Sequence, residues 1–307
     1  MFTRSDLKGA AKTELKWSYW LSFGVAFVAS LIMGIGGGIT GRASGSDTNQ
    51  IDQIVQSAQE NSSNGEVPVG VIIMAVLVAM GAFLLIIAIS SLYGIFVSNP
   101  IEAGKDHFFA TAPYGNRNFE VLFSSFKKGR YGKIVKTLFL RSLYLVLWSL
   151  LCALPAIALS ILALLPIFTG DPAIMEDTGR LFFTTMVIVY PITLVCMIPA
   201  FIKSFSYMMV PYIVAENPEI GAKEAITMSR EMMNGHKWFA FVLQLSFFWW
   251  YCLCILTCGI GFLFLTPYLE ATQAQLYLAL RAQKHPEFQP QYYSQPAVEP
   301  QPEIPAQ

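Results

Sequence analysis

The chain has 307 residues, of which 54% are hydrophobic and only 13% charged, with 20 Lys+Arg balanced by 20 Asp+Glu. A soluble domain carries roughly a quarter charged residues, so this composition excludes an ordinary cytosolic enzyme, a disordered regulator and a nucleic-acid binder driven by bulk charge. What it leaves is an integral membrane protein.

Crossing a hydrocarbon core takes about twenty apolar residues in a helix. Apolar runs predict an all-α polytopic bundle, residues 1–284, with six transmembrane helices and amphipathic cytoplasmic helices. The spans fall at about 17–39, 69–97, 139–165, 182–202, 239–257 and 259–280. The first follows a basic stretch (Arg4, Lys8, Lys12, Lys16) but is longer than a secretory h-region, so an uncleaved helix is expected. It ends in Gly34-Ile35-Gly36-Gly37-Gly38. The Gly34/Gly38 spacing suits either close helix packing or a loose exit from the membrane. Beyond it, Ile51, Ile54, Val55 and Ala58 suit a short amphipathic turn in a long outer loop.

After the second span comes Asn99-Pro100-Ile101-Glu102-Ala103-Gly104-Lys105, and after the fourth Asn217-Pro218-Glu219-Ile220-Gly221-Ala222-Lys223. In each, Asn can cap a helix whose first residue is Pro, with a carboxylate in the first turn. The pair reads either as a weak repeat or as chance similarity. Further along the first segment, Phe119, Leu122, Phe123 and Phe126 precede Lys127-Lys128-Gly129-Arg130-Tyr131. Lys127, Lys128 and Arg130 are candidate contacts for anionic lipid headgroups, although their charge also serves simply to orient the next span. In the second segment Ala222, Ala225, Ile226, Ser229, Met232 and Met233 share one helix face, and Gly235 stands where a helix would end.

The last apolar stretch has two readings: one span with an interfacial helix, or two spans turning at Thr257-Cys258-Gly259-Ile260-Gly261. Charge favours two. With six spans and both termini cytoplasmic, all but Arg42 and Arg180 of the 20 basic residues lie inside, while Asp47, Asp52, Glu60, Glu66, Asp171, Glu176 and Asp177 lie outside. Residues 285–307, rich in Pro and Gln, predict a disordered cytoplasmic tail.

Candidate chemistry is sparse. The sequence holds no HExxH, GxSxG, phosphate-loop or CxxC pattern, so no catalytic residue, metal or cofactor is expected. Cys254 and Cys258, four apart, permit a redox or metal pair, but packing residues in a membrane helix describe them more simply. Glu270 is different, because on six spans it falls inside the last helix, three residues after Pro267. An ionisable group at mid-bilayer costs roughly 2.5–3.5 kcal/mol on insertion scales and usually has a partner. Glu270, Gln273, Gln244 and Tyr268 are therefore the candidate substrate-binding residues, set against interhelical hydrogen bonding that only holds the bundle together.

Several of these motifs are shared with a known family. They are Asn99-Pro100 with Gly104, Phe126, Leu147-Trp148 with Pro155, and Lys203 with Ser206-Tyr207. The densest run is Ala225-Ile226-x-Met228-Ser229-x-x-Met232-Met233-x-Gly235-His236-Lys237, continuing through Trp249, Gly259-Ile260-Gly261 and Pro267-Tyr268. On these residues the chain resembles an uncharacterised bacterial multi-pass membrane family, a domain of unknown function. It is also distantly similar to the membrane domain of some glycerophosphodiester phosphodiesterases. The resemblance implies a six-helix bundle in the cell membrane and no activity. The expectation is a non-catalytic accessory or scaffold protein, whose partners are the bilayer, anionic headgroups and other membrane proteins, with no nucleic acid. The alternative is a transporter or lipid-handling protein with its polar site at Glu270.

Overall fold

A computed structural model describes residues 2–60, 69–169, 187 and 191–286, and among them every regular element is a helix. Helix α1 runs Arg4–Glu60 with a break at Ser18 (φ −132°, ψ 19°). Before the break Leu7, Ala11 and Leu15 are buried, while Arg4, Lys12 and Lys16 face outward. The Ser18 hydroxyl donates to the Glu14 carbonyl at 3.2 Å, a back-bond that bends helices. Past the expected exit at Ile39 the backbone stays helical to Glu60, through the segment read as a short turn. At Gly34 no described atom approaches within 4 Å of where a Cβ would sit, so the described residues show no close packing there, and the backbone continues as helix rather than loosening.

Helix α2 (Val69–Tyr93), a π turn (Gly94–Ser98) and helix α3 (Asn99–Thr111) form one unbroken rod. Asn99 is therefore no cap: it has helical angles (φ −61°, ψ −47°) and donates its N–H to the Gly94 carbonyl. Pro100 has no N–H to offer the Phe96 carbonyl. That carbonyl accepts from the Tyr131 hydroxyl instead, at 2.9 Å. The second Asn-Pro motif does something else. Asn217 folds a turn in which its Oδ1 accepts from the Glu219 N–H at 3.2 Å, and the helix begins later, at Ala222. The shared local signal thus yields two structures, decided by whether the preceding residues are already helical.

A 3-10 segment (Phe119–Phe126) leads to α4 (Tyr131–Thr169). The expected fourth span ends in α5 (Ile198–Ser206), followed after a turn by α6 (Val210–Glu216). The first part of that span, 182–186 and 188–190, lies outside the described residues, as do the acidic outer segment 170–181, residues 61–68 and most of the tail, 287–307. Helix α7 (Ala222–Met233) buries Ala225, Ile226, Met228, Ser229, Met232 and Met233, and packs into the core. Gly235, at φ +84°, ends it as expected.

Helices α8 (Lys237–Leu245) and α9 (Phe248–Leu256) are separated by a break at Ser246–Phe247. Cys258 (φ 51°) and Gly259 (φ 88°) then reverse the chain into α10 (Ile260–Lys284). This is the predicted turn, although Gly261 is already helical. Cys258 lies beyond the end of α9, so it does not share a helix face with buried Cys254.

Among the described residues, five stretches are long and apolar enough to cross a membrane: Arg4–Ile35, Met80–Tyr114, Tyr131–Pro155, Pro191–Glu216 and Lys237–Leu256. Helix α10, the expected sixth span, has 25 residues but is not in this set. Glu270, Gln273, Gln275 and Arg281 dilute its apolar character. The outward side chains of α4 and α9 are large and apolar, including Leu147, Leu150, Trp249 and Leu256. Such a surface suits lipid rather than water.

Candidate functional site

Helix α3 lies deep in the bundle, with Pro100, Ile101 and every residue from Ala103 to Thr111 buried. Gly104 permits this burial. A Cβ there would meet the Leu122 carbonyl oxygen at 1.9 Å, so only glycine lets the 3-10 segment lie against α3. The next three residues, Lys105 (8% exposed), Asp106 (4%) and His107 (9%), point to different sides of this enclosed helix and accordingly sit inside the fold rather than in a loop.

Lys105, Arg141 and Arg281 each pair with a carboxylate on another helix, while Asp106 faces its neighbour Lys105 on α3 itself. Lys105 Nζ donates to Glu270 Oε1 at 2.6 Å, linking α3 to α10, and lies 3.5 Å from Asp106 Oδ1. Arg141 on α4 donates to Glu102 on α3 at 3.0 Å. On α10, Arg281 Nη1 donates to both carboxylate oxygens of Glu216 on α6, at 2.8 and 2.7 Å. The Tyr277 hydroxyl donates to Glu216 Oε2 at 2.7 Å, and its ring stacks on Tyr212 at 4.9 Å. The Tyr212 hydroxyl is buried and has no partner among the described residues. Among the described residues, four carboxylates (Glu102, Asp106, Glu216, Glu270) thus face three cations (Lys105, Arg141, Arg281) in this layer. Ion pairs buried this deeply fix which helix sits against which, since breaking one strands a charge in a low dielectric.

Of the residues expected at the Glu270 site, only Glu270 joins this layer. Gln244 reaches the Met208 sulfur at 4.0 Å, Tyr268 packs edge-on against Phe247, and Gln273 is partly buried further along α10. The residues that do meet Glu270 read in the sequence as topogenic loop charge. A Lys-Asp-His triplet running straight into Phe108-Phe109-Ala110 was the available signal, because a solvated loop rarely continues into so apolar a turn.

Lys127 and Lys128 are exposed beside the turn at Gly129 (φ 91°), and Arg130 is partly buried. Phe119, Phe123 and Phe126 are exposed next to them, and Phe126 stacks on Tyr131 at 5.6 Å, while Leu122 turns into the core. His236 stacks on Phe2 at 5.8 Å; burial pushes its imidazole below the ordinary range, and the nearby Lys284 charge acts the same way. His285 Nε2 lies 3.8 Å from Glu231, at the rim of a depression of about 700 Å³. Among the described residues no three His, Cys, Asp or Glu side chains converge as a metal ion would require.

Helices of this length and polarity, clamped by a buried ionic layer, define an all-helical protein whose apolar stretches are compatible with residence in a membrane. The chain belongs to the family described as a protein of unknown function (DUF975), whose model matches residues 1–284. Comparison with curated proteins and with solved structures returns no match. None of these findings links the chain to glycerophosphodiester phosphodiesterases.

Proposed function

We propose that the protein is a non-catalytic accessory or scaffold protein of the cell membrane, crossing it six times with both termini in the cytoplasm. The observation that carries this reading is the pairing of the interior charges. Lys105 with Glu270, Arg141 with Glu102 and Arg281 with Glu216 hold α3, α4, α6 and α10 together, so the group expected to meet a substrate already has a protein partner. Its own partners are then other membrane proteins, engaged through the inner helices and the tail, and anionic headgroups at Lys127, Lys128 and Arg130.

A second reading, a proton-coupled or small-solute transporter, is favoured by one specific feature. Asp106 adds a second carboxylate beside Lys105, and the Tyr212 hydroxyl, without a partner among the described residues, lies within electrostatic reach of Asp106 and Glu270. Reconstitution separates the two. In vesicles loaded with a pH-sensitive dye, the scaffold reading expects the same proton leak as in empty vesicles. A flux that Glu270→Gln or Asp106→Asn abolishes would replace it with the transporter reading. The topology is tested by a reporter fused after Lys284: a cytoplasmic signal supports six spans, and an external one rules them out.

A further inference from the structure

The N-terminal part of α1 carries a feature that the buried layer does not use. Arg4, Lys8, Lys12 and Lys16 recur every four residues, so they form one row along the helix, beside a second row of Leu7, Ala11 and Leu15 that faces the core. Like charges at this spacing repel, and the acids of α1 do not relieve them. Asp6 accepts from the Thr3 N–H at 2.8 Å, and Glu14 pairs with Arg117 at 3.0 Å. Lys12 and Lys16 have no carboxylate within ion-pair distance among the described residues. Lys8 Nζ sits 4.3 Å from the Phe247 ring centre, and Lys12 Nζ 5.9 Å from that of Tyr268.

Lys12 and Lys16 open onto a groove of about 640 Å³ between α1, α9 and α10. Lys12, Lys16, Tyr19 and Tyr268 line part of it, and Leu253 and Leu265 are among its apolar walls. Its size lies within the roughly 300–1,000 Å³ of small-molecule sites. Trp17 and Trp20, next along α1, are exposed, and exposed tryptophans beside a basic helix end mark the depth of lipid headgroups. Paired cations at headgroup depth above an apolar trough are complementary to an anionic amphiphile.

We propose that this groove is a binding site for one anionic phospholipid, its phosphate held by Lys12 and Lys16 and an acyl chain lying against Leu253 and Leu265. The assignment rests on the helices residing in a membrane; neither the six-span topology nor the scaffold role is required.

Native mass spectrometry of the full chain in neutral detergent, with equimolar phosphatidylglycerol and phosphatidylcholine added, tests the site without reference to topology, flux or protein partners. The wild type retains phosphatidylglycerol preferentially. Lys12→Gln with Lys16→Gln weakens that retention roughly tenfold, as expected for two cations near a headgroup, whereas Lys223→Gln with Arg230→Gln, the same charge change on α7, leaves it intact. Leu253→Trp, which fills the trough, weakens it as well. Glycerol 3-phosphate, a headgroup without chains, does not displace the lipid. Equal retention of both lipids by the wild type, no effect of the Lys12/Lys16 pair, an equal drop in the Lys223/Arg230 control, or displacement by glycerol 3-phosphate would each overturn the proposal.

Discussion

Lys105 and Glu270 lie 165 residues apart in sequence, and their side chains meet at 2.6 Å in the interior of the bundle. Asp106, 3.5 Å from the same ammonium, makes the pair asymmetric. Removing Glu270 leaves Lys105 with Asp106; removing Lys105 leaves two carboxylates together. Lys105→Met should therefore cost about 3–5 kcal/mol of stability and Glu270→Gln distinctly less. A combined Lys105→Met, Glu270→Leu, Asp106→Asn variant should recover most of the loss, because no uncompensated charge remains. Unfolding curves of the purified variants in one detergent check the order, and equal losses for the two single variants would contradict it.

The stacked pair Tyr212 and Tyr277 offers an internal control. The Tyr277 hydroxyl donates to the Glu216 carboxylate, whereas the Tyr212 hydroxyl has no partner among the described residues. Tyr277→Phe should destabilise by roughly 1.5–3 kcal/mol, as expected for a lost hydrogen bond to a charged group. Tyr212→Phe removes a buried, unsatisfied hydroxyl and should be neutral or mildly stabilising. The same unfolding measurement reads both, and a destabilised Tyr212→Phe would mean that the hydroxyl has a ligand.

Gly104 marks the closest approach of α3 to the 3-10 segment. Gly104→Ala forces a methyl group onto the Leu122 carbonyl and should sharply lower the yield of folded protein. Gly81→Ala, at a position where no described atom stands within 4 Å, should leave it unchanged or slightly improved by helix propensity. Size-exclusion profiles after extraction distinguish the two.

Gly259 reverses the chain between α9 and α10 at φ 88°. Gly259→Ala should cost about 1–2 kcal/mol, as expected for a side chain held in the left-handed region. The penalty should show as a lower midpoint of unfolding without a change in the number of protease-accessible sites in the reconstituted protein.

Much of the architecture was readable from local pattern, because apolar run length, helical periodicity and glycine punctuation act within a few residues. Runs such as 139–165 became helix, the face Ala225–Met233 became core, and the Cys258–Gly259 reversal fell where it was expected. Glu270 stood out as an ionisable group in an apolar helix. Its partner did not, because nothing near Lys105 in sequence reports which face α10 turns toward α3. The two Asn-Pro motifs misled for the complementary reason: a capping signal is local, whereas Asn99 inherits a helix already running from α2. Gln273 follows Glu270 by one turn and Gln244 lies on the neighbouring helix, but the layer is assembled by helices from distant parts of the chain.

The π turn at Gly94–Ser98 sets the angular phase of everything that follows it in the rod. Such a turn holds one residue more than an α-turn, and each residue of an α-helix advances about 100° around the axis. Excising a single residue between Gly94 and Ser98 would restore regular winding and rotate α3 by that angle, carrying Lys105 away from Glu270 and Gly104 away from Leu122. The charged layer and the glycine contact are thus indexed by the same five residues, which work as a spacer that keeps a membrane rod and an interior lock in register.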